Sequence, residues 1–244
     1  MGKLQDKVMI ITGGAQGMGK LHAEKALAEG AKVVITDINE EGGNAAQKEL
    51  GENALFVKHD VSNEADWQNV IDQVMEKWGR VDVLVNNAGI TFNKSMDDVS
   101  LNDYMKIVNI NQVSVFLGTK AVAKIMKEQN SGAIINISSM NGLVGGAIGY
   151  TDTKFAVRGM TKAAARELSP YNIRVNSVHP GVVQTPMLDQ DGVREAVKEF
   201  EKTIPMRRVA QPEEVSNMVC FLASDDASYS TGSEFVIDGG LTAL

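Results

Sequence analysis

The sequence predicts an α/β protein built on one doubly wound, seven-stranded parallel sheet with helices on both faces. Three observations carry that reading. Short β-branched runs alternate with longer helical stretches along the chain, as successive βα units do. The runs are nearly continuous in Val, Ile and Leu, which strands covered on both faces require. A glycine cluster stands between the first run and the first helix, at the sheet end where such folds form their crevice.

Each element follows in order. Val8-Met9-Ile10-Ile11-Thr12 reads as the first strand, and a helical pattern runs from about 18 to 29. Gly30 stands where a helix C-terminal glycine belongs, and Lys32-Val33-Val34-Ile35-Thr36 resumes the strand pattern. Further strands are predicted at 54–58, 81–85, 133–138, 173–178 and 234–237, with helices between them. Two helices are long, at about 101–128 and 150–168. Beyond residue 185 the pattern weakens, and Pro186, Pro205 and Pro212 punctuate a charged helical stretch near 193–202. The segment of about 186–211 is therefore expected to leave the sheet as a lid. No linker, repeat or low-complexity tract interrupts the 244 residues, so 1–244 is read as a single domain.

Composition excludes several classes. Hydrophobic residues at 43% and charged residues at 23% describe a globular chain with a sizeable core. Lys and Arg number 24 against 31 Asp and Glu, a net −7 that repels phosphate backbones, so no nucleic-acid partner is expected. Cys220 is alone, and His22, His59 and His179 lie far apart, so no metal site is expected. MGKLQDK has no signal-peptide core, and Asp6 stands where a myristoylation motif needs Ser or Thr. No apolar run approaches the ~20 residues of a membrane span. A cytoplasmic location without a membrane partner is expected.

Thr12-Gly13-Gly14-Ala15-Gln16-Gly17-Met18-Gly19 opens the first helix with glycines at Gly13, Gly17 and Gly19. Such a turn aims backbone N–H groups and a helix dipole at an anion. The strict G-x-G-x-x-G spacing is absent. Gly14 to Lys20 also fits the start of a triphosphate loop, but Leu21 replaces the hydroxyl that would hold Mg²⁺. Asp37 ends the second strand 18 residues after Gly19, close to the offset at which a carboxylate bonds adenosine ribose hydroxyls. A 2′-phosphate there meets like charge, and Ile38 brings no cation. NAD(H) is expected in preference to NADP(H).

Tyr150 and Lys154 stand four apart and share a helix face. A carbonyl that accepts hydride needs a proton donor, and a phenol of pKa ~10 serves better near neutral pH beside a cation. Ser138 and Ser139 follow the fifth strand, where a hydroxyl can polarise a carbonyl oxygen. A half-buried aromatic beside a surface lysine is the plain alternative.

Taken together, TGxxxGxG at 12–19, Asp37, Asp60-Val61, Asn86-Asn87-Ala88-Gly89, Asn111, Ser139, YxxxK at 150–154 and Pro180-Gly181 with Thr185 make the chain resemble the short-chain dehydrogenase/reductases, whose fold is of the Rossmann type. The resemblance covers essentially the whole length. It implies that Tyr150 is the general acid in reduction, that Lys154 lowers its pKa and holds the nicotinamide ribose, and that Ser139 orients the substrate oxygen. Asn111 would hold a relay water. Gly13, Gln16, Gly17, Met18 and Gly19 would meet the dinucleotide at the turn, with Asp37 and Ile38 at the ribose. Asp60 and Val61 would bind adenine, Asn87, Ala88 and Gly89 would pass beneath the cofactor, and Pro180, Gly181, Val183 and Thr185 would hold the carboxamide end.

Plain readings stand beside these: Asn86 and Asn87 as turn amides, Asn111 as a helix-surface amide, and His179 as packing rather than catalysis. Ser139 is preferred to Ser138 because Gly142 completes the family's S-x-x-G. Ser139 precedes Tyr150 by 11 residues, fewer than in many members, so the connecting loop is short.

The substrate wall is expected from Met140, Asn141, Leu143, Phe92 and Met187, with Ser139 and Tyr150 at its base. Twelve methionines suit a forgiving apolar pocket, hence a hydrophobic ketone or secondary alcohol. Residues 150–162 and 179–187 look most like bacterial hydroxysteroid dehydrogenases and NADH-dependent carbonyl reductases. Alternatives are a 3-oxoacyl-carrier-protein reductase, against which the −7 charge argues although Arg207-Arg208 keeps it open, and a dinucleotide-binding regulator without turnover. The resemblance implies a homotetramer, with Ile107, Val115, Phe116, Val122 and Met126 as candidate interface surface.

Overall fold

The computed structural model describes residues 2–92, 94–184 and 193–243. Strands β1 Val8–Thr12, β2 Lys32–Asp37, β3 Ala54–Lys58, β4 Val83–Asn86, β5 Gly132–Ile137, β6 Ile173–Pro180 and β7 Glu234–Ile237 form one sheet in the order β3-β2-β1-β4-β5-β6-β7. Every neighbouring pair is parallel, as predicted. The order reverses between β1 and β4, which opens a crevice at their C-terminal ends.

The helices are α1 Gly17–Ala28, α2 Glu40–Leu50, α3 Glu64–Trp78, α4 Leu101–Val108, α5 Ser114–Gln129, α6 Tyr150–Leu168, α7 Val193–Glu201 and α8 Pro212–Ala223. Successive residues of β1 serve opposite layers. Met9 and Ile11 pack with Ala23 and Ala26 of α1 and Val215 and Val219 of α8. Val8 and Ile10 pack with Trp67 and Val70 of α3 and Leu117 and Val122 of α5. Local chemistry sets the helix ends: the Asn63 side chain accepts from Ala65 N at the start of α3, and Gly79, at φ 68°, ends it in the left-handed region.

Some boundaries differ from expectation. The fourth strand begins at Val83, because Val81 N donates to Gln129 Oε1 (3.0 Å) and Asp82 Oδ2 accepts from Val8 N (2.8 Å). The helix expected from 101 to 128 is interrupted by a π-turn at Asn109–Val113. Four of the five side chains expected at an interface, Ile107, Val115, Val122 and Met126, are buried in the chain's own core, and only Phe116 is exposed. Thr185, Met187 and residues 186–192 of the expected lid lie outside the described residues. Among the described residues, no helix is long and apolar enough to cross a membrane, and no group of three or more His, Cys, Asp or Glu could hold a metal ion.

Candidate active site

The turn after β1 is tied to the segment after β4. Thr12 Oγ1 accepts from Asn87 N and Ala88 N, both at 3.0 Å, and Asn87 Nδ2 donates to Thr12 O at 2.9 Å. Asn87 Oδ1 is buried without a partner among the described residues. Gln16 is extended and caps nothing, and α1 has no acidic side chain in its first turn, so its N-terminal N–H groups and dipole face the crevice uncompensated. Gly17 has φ +57°, and a Cβ there would meet nothing within 4 Å, so space lies open before it. Gly19 differs from expectation: a Cβ would lie 2.1 Å from Gly13 O, so its smallness serves the packing of helix on turn. The Met18 side chain packs on the core, which leaves only its backbone to the crevice.

At the end of β2, Asp37 accepts from Ala15 N (3.2 Å) and Asn39 N (3.0 Å). Beside it, a groove of about 410 Å³ is lined by Ile38, Asp60, Ser62, Asn102, Met105, Lys106, Asn109 and Ile110. Asp60 Oδ1 accepts from Ser62 Oγ (2.7 Å) and Ser62 N (2.9 Å), and these bonds hold its carboxyl below the usual range. Val61 is buried, its carbonyl accepting from Trp67 Nε1, and it does not line the groove.

Ser139 follows β5, and Tyr150 is the first residue of α6, whose start is set by Gly149 N donating to Asp152 Oδ1 at 3.2 Å. Burial raises the Tyr150 phenol above its ordinary 10.0, and the nearby Ser139 hydroxyl offsets part of that rise. Lys154 is buried, its Nζ donating to Ile137 O at 2.8 Å and lying 5.5 Å from the Tyr150 ring centroid. Burial pulls this ammonium down to about 8. The expected depression of the phenol by Lys154 is not seen in the free chain, where burial outweighs the lowering effect of Ser139. Ser138 is buried and its hydroxyl donates to Lys154 O at 2.9 Å.

Asn111 lies in the π-turn, fully buried. Its Oδ1 accepts from Ile90 N (2.8 Å), and its Nδ2 donates to Ile90 O (2.9 Å) and Thr153 Oγ1 (3.4 Å). A Cβ on Gly89 would stand 3.4 Å from Asn111 Oδ1 and 3.5 Å from Lys154 Nζ, so the ends of β4, the π-turn and α6 converge here. Thr153, which sequence reasoning missed, donates to Tyr150 O at 2.7 Å and links the two.

Beyond β6, Gly181 packs on the turn after β7, where a Cβ would lie 2.8 Å from Asp238 Cα; its smallness serves the fold. Pro180 is buried. Val183 pairs with Ala210 in a parallel bridge made by Ala210 N to Val182 O and Gln184 N to Ala210 O. That pattern turns Val183's own N–H and C=O to the other side. Met140, Asn141, Leu143 and Phe92 are all half-buried, and Asn141 N donates to Ser139 Oγ at 3.1 Å. His179 is buried, with Nδ1 3.1 Å from Ser139 O.

Among the described residues, the unpartnered acceptor on Asn87, the open space at Gly17, the uncapped α1 and the Val183 backbone turned away from Ala210 suit an elongated ligand with an anionic middle and an amide end. The family model described as enoyl-(acyl carrier protein) reductase matches residues 13–242. A 3-alpha-(or 20-beta)-hydroxysteroid dehydrogenase of Mycobacterium tuberculosis is 49% identical over 99% of this chain and 92% of its own. An NADP-dependent (R)-specific alcohol dehydrogenase of Lentilactobacillus kefiri is 42% identical over 99% and 98%. The crystal structure of levodione reductase superposes with a TM-score of 0.93, at 37% identity, over 98% of this chain and 99% of its own. The chain belongs to the short-chain dehydrogenase/reductase family and is an oxidoreductase that works with a nicotinamide dinucleotide on CH–OH and C=O groups.

Proposed function

We propose that the chain interconverts a hydrophobic ketone and its secondary alcohol, with NAD(H) preferred over NADP(H). The observation that carries this is the meeting of Ser139, Tyr150 and Lys154 beside the uncapped end of α1. When bound, NADH supplies the hydride. Tyr150 Oη gives its proton to the carbonyl oxygen as that oxygen gains charge, and takes it back in oxidation. Ser139 Oγ donates to the same oxygen and favours the phenolate when it forms. Lys154, with a pKa of about 8, is poised to carry charge or a proton near neutral pH. Asn111 holds the Gly89–Ile90 backbone beside it, and since both amide atoms are engaged, a relay water would rest on its main chain.

Around the dinucleotide, Gly13, Gln16, Gly17, Met18 and Gly19 offer backbone to the pyrophosphate. Asp60 lines the adenine groove, and Asn87, Ala88 and Gly89 lie beneath. Pro180, Gly181 and Val183 would serve the carboxamide end, and the same role is proposed for Thr185, which lies outside the described residues. Family membership leaves the choice of dinucleotide open, and Asp37 supports NAD(H): a 2′-phosphate would meet its carboxylate, and Ile38 brings no countercharge.

Met140, Asn141, Leu143 and Phe92 would wall the substrate site within the one domain of 1–244, with Met187 and the segment of about 186–211 as the proposed cover, of which 186–192 lie outside the described residues. Their mostly apolar character suits a bulky carbon frame, as the relatives' names suggest. A carrier-protein substrate is disfavoured by the −7 charge and because Arg208 is bound by Glu214 at 2.6 and 2.7 Å. Exposed Leu101, Met105, Phe116 and Phe155 on α4, α5 and α6 support assembly, proposed as a homotetramer in the cytoplasm. Steady-state rates with NADH and NADPH against ketones, diketones, steroids and an acetoacetyl thioester test the reading. Turnover of apolar ketones with NADH is expected; equal or better rates with NADPH, or activity on the thioester alone, would overturn it.

A further inference from the structure

The Ser139 hydroxyl can serve only if the short turn that carries it stays put. That turn, a 3₁₀ helix at Met140–Gly142, is gripped at both ends through its carbonyls. His179 on β6 places Nδ1 3.1 Å from Ser139 O and Nε2 2.9 Å from Ser177 Oγ. A carbonyl only accepts, so Nδ1 carries the hydrogen and Nε2 accepts from the Ser177 hydroxyl, which fixes the neutral ring in one orientation. Arg158, one helical turn past Lys154 on α6, donates Nη1 to Gly142 O at 2.8 Å. Its guanidinium is held by Glu234 on β7, with Nε at 3.1 Å and Nη2 at 2.9 Å, and Lys162 binds the same carboxylate at 2.9 Å. The turn has no slack toward α6: a Cβ on Gly142 would lie 2.5 Å from Ser138 Oγ and 2.8 Å from Lys154 O.

We propose that His179 and the Arg158–Glu234 pair are positioning residues, which clamp the 139–142 turn and so aim the Ser139 hydroxyl at Tyr150 and the substrate oxygen. The proposal rests on the reading of Ser139 and Tyr150 given above. Small displacements of a group that acts on the reacting atom lower rate steeply, so losing one jaw is expected to cut kcat roughly tenfold or more.

The test is a double-mutant cycle in the full chain, with Arg158→Met and Ser139→Ala made singly and together. Expected are a roughly tenfold lower kcat for Arg158→Met with unchanged NADH affinity, and less than about a twofold further effect of that change on the Ser139→Ala background. The pH at which alcohol oxidation rises should also move upward in Arg158→Met, because the Ser139 hydroxyl, which lowers the Tyr150 pKa, is no longer held beside the phenol. His179→Asn, which can return an N–H donor to Ser139 O, should keep more activity than His179→Leu. If Arg158→Met does not fold, Glu234→Gln loosens the same guanidinium and replaces it in the cycle. An Arg158→Met effect that persists in full without the Ser139 hydroxyl, or a lower Tm with unchanged kcat and pH profile, would overturn the clamp. A Ser139→Ala chain of undiminished kcat would overturn the site reading itself, and the clamp with it.

Discussion

Lys154→Met should make the free protein more stable while it abolishes turnover. The Lys154 ammonium is buried and its pKa falls from 10.5 to about 8. At ~1.4 kcal/mol for each pH unit, keeping it charged destabilises the folded state by about 3 kcal/mol below pH 8. Methionine removes that penalty at similar volume, but it leaves Ile137 O without the 2.8 Å donor it now has, a loss of ~1–2 kcal/mol. The net gain is about 1–2 kcal/mol at pH 7, or a Tm higher by roughly 2–8 °C for a chain of this size. The pH dependence is more specific than the size. Between pH 8 and 10.5 the unfolded lysine binds a proton that the folded one has released, so wild-type stability rises with pH through that window. The advantage of the variant should therefore shrink and reverse between pH 8 and 10.5. Urea unfolding of both proteins without dinucleotide, at pH 7, 8.5 and 10, measures this. A variant less stable at pH 7, or a difference that ignores pH, would refute the desolvation argument.

Other outcomes follow from the same physics. Asp37→Ala should shrink the preference for NADH over NADPH roughly tenfold or more, read as the ratio of kcat/KM values. His22 and His59 are buried, and burial lowers each to about 4 from 6.5, so the unfolded chain binds more protons between those limits. Their contribution, about 3 kcal/mol each, is complete above pH 6.5 and lost as pH falls toward 4, which thermal unfolding at pH 7 and 5 should register as a lower Tm. Cys220 is buried with its thiol pushed up to about 12, so a thiol reagent should label it only after denaturant is added.

The sheet was legible because its inner strands are covered on both faces, so apolar residues, mostly Val, Ile and Leu, dominate 8–12, 32–36 and 54–58. Strand ends were less so, since they depend on single side chains such as Asp82 on Val8 N. The π-turn left no trace in the pattern, since the buried positions Ile107, Asn111, Ser114 and Val115 keep the spacing of an ordinary helix face. Burial of Ile107, Val115, Val122 and Met126 was hidden because an apolar helix stripe looks alike against a sheet or a second subunit. Motif spacing brought Ser139, Tyr150, Lys154 and Asn111 forward as residues, yet not the contacts of His179, Arg158 and Thr153, which join elements remote in sequence. Nor did spacing reveal that burial and Ser139, rather than Lys154, set the Tyr150 phenol in the free chain.

The central claim is that the Tyr150 hydroxyl transfers the proton, and Tyr150→Phe removes that one atom while the ring stays. Single-turnover ketone reduction and NADH binding, measured on the same sample, test it most directly. The account predicts NADH affinity within about twofold of the original and reduction slowed by ~10³-fold or more. Reduction at the original rate, with NADH bound as before, would contradict it.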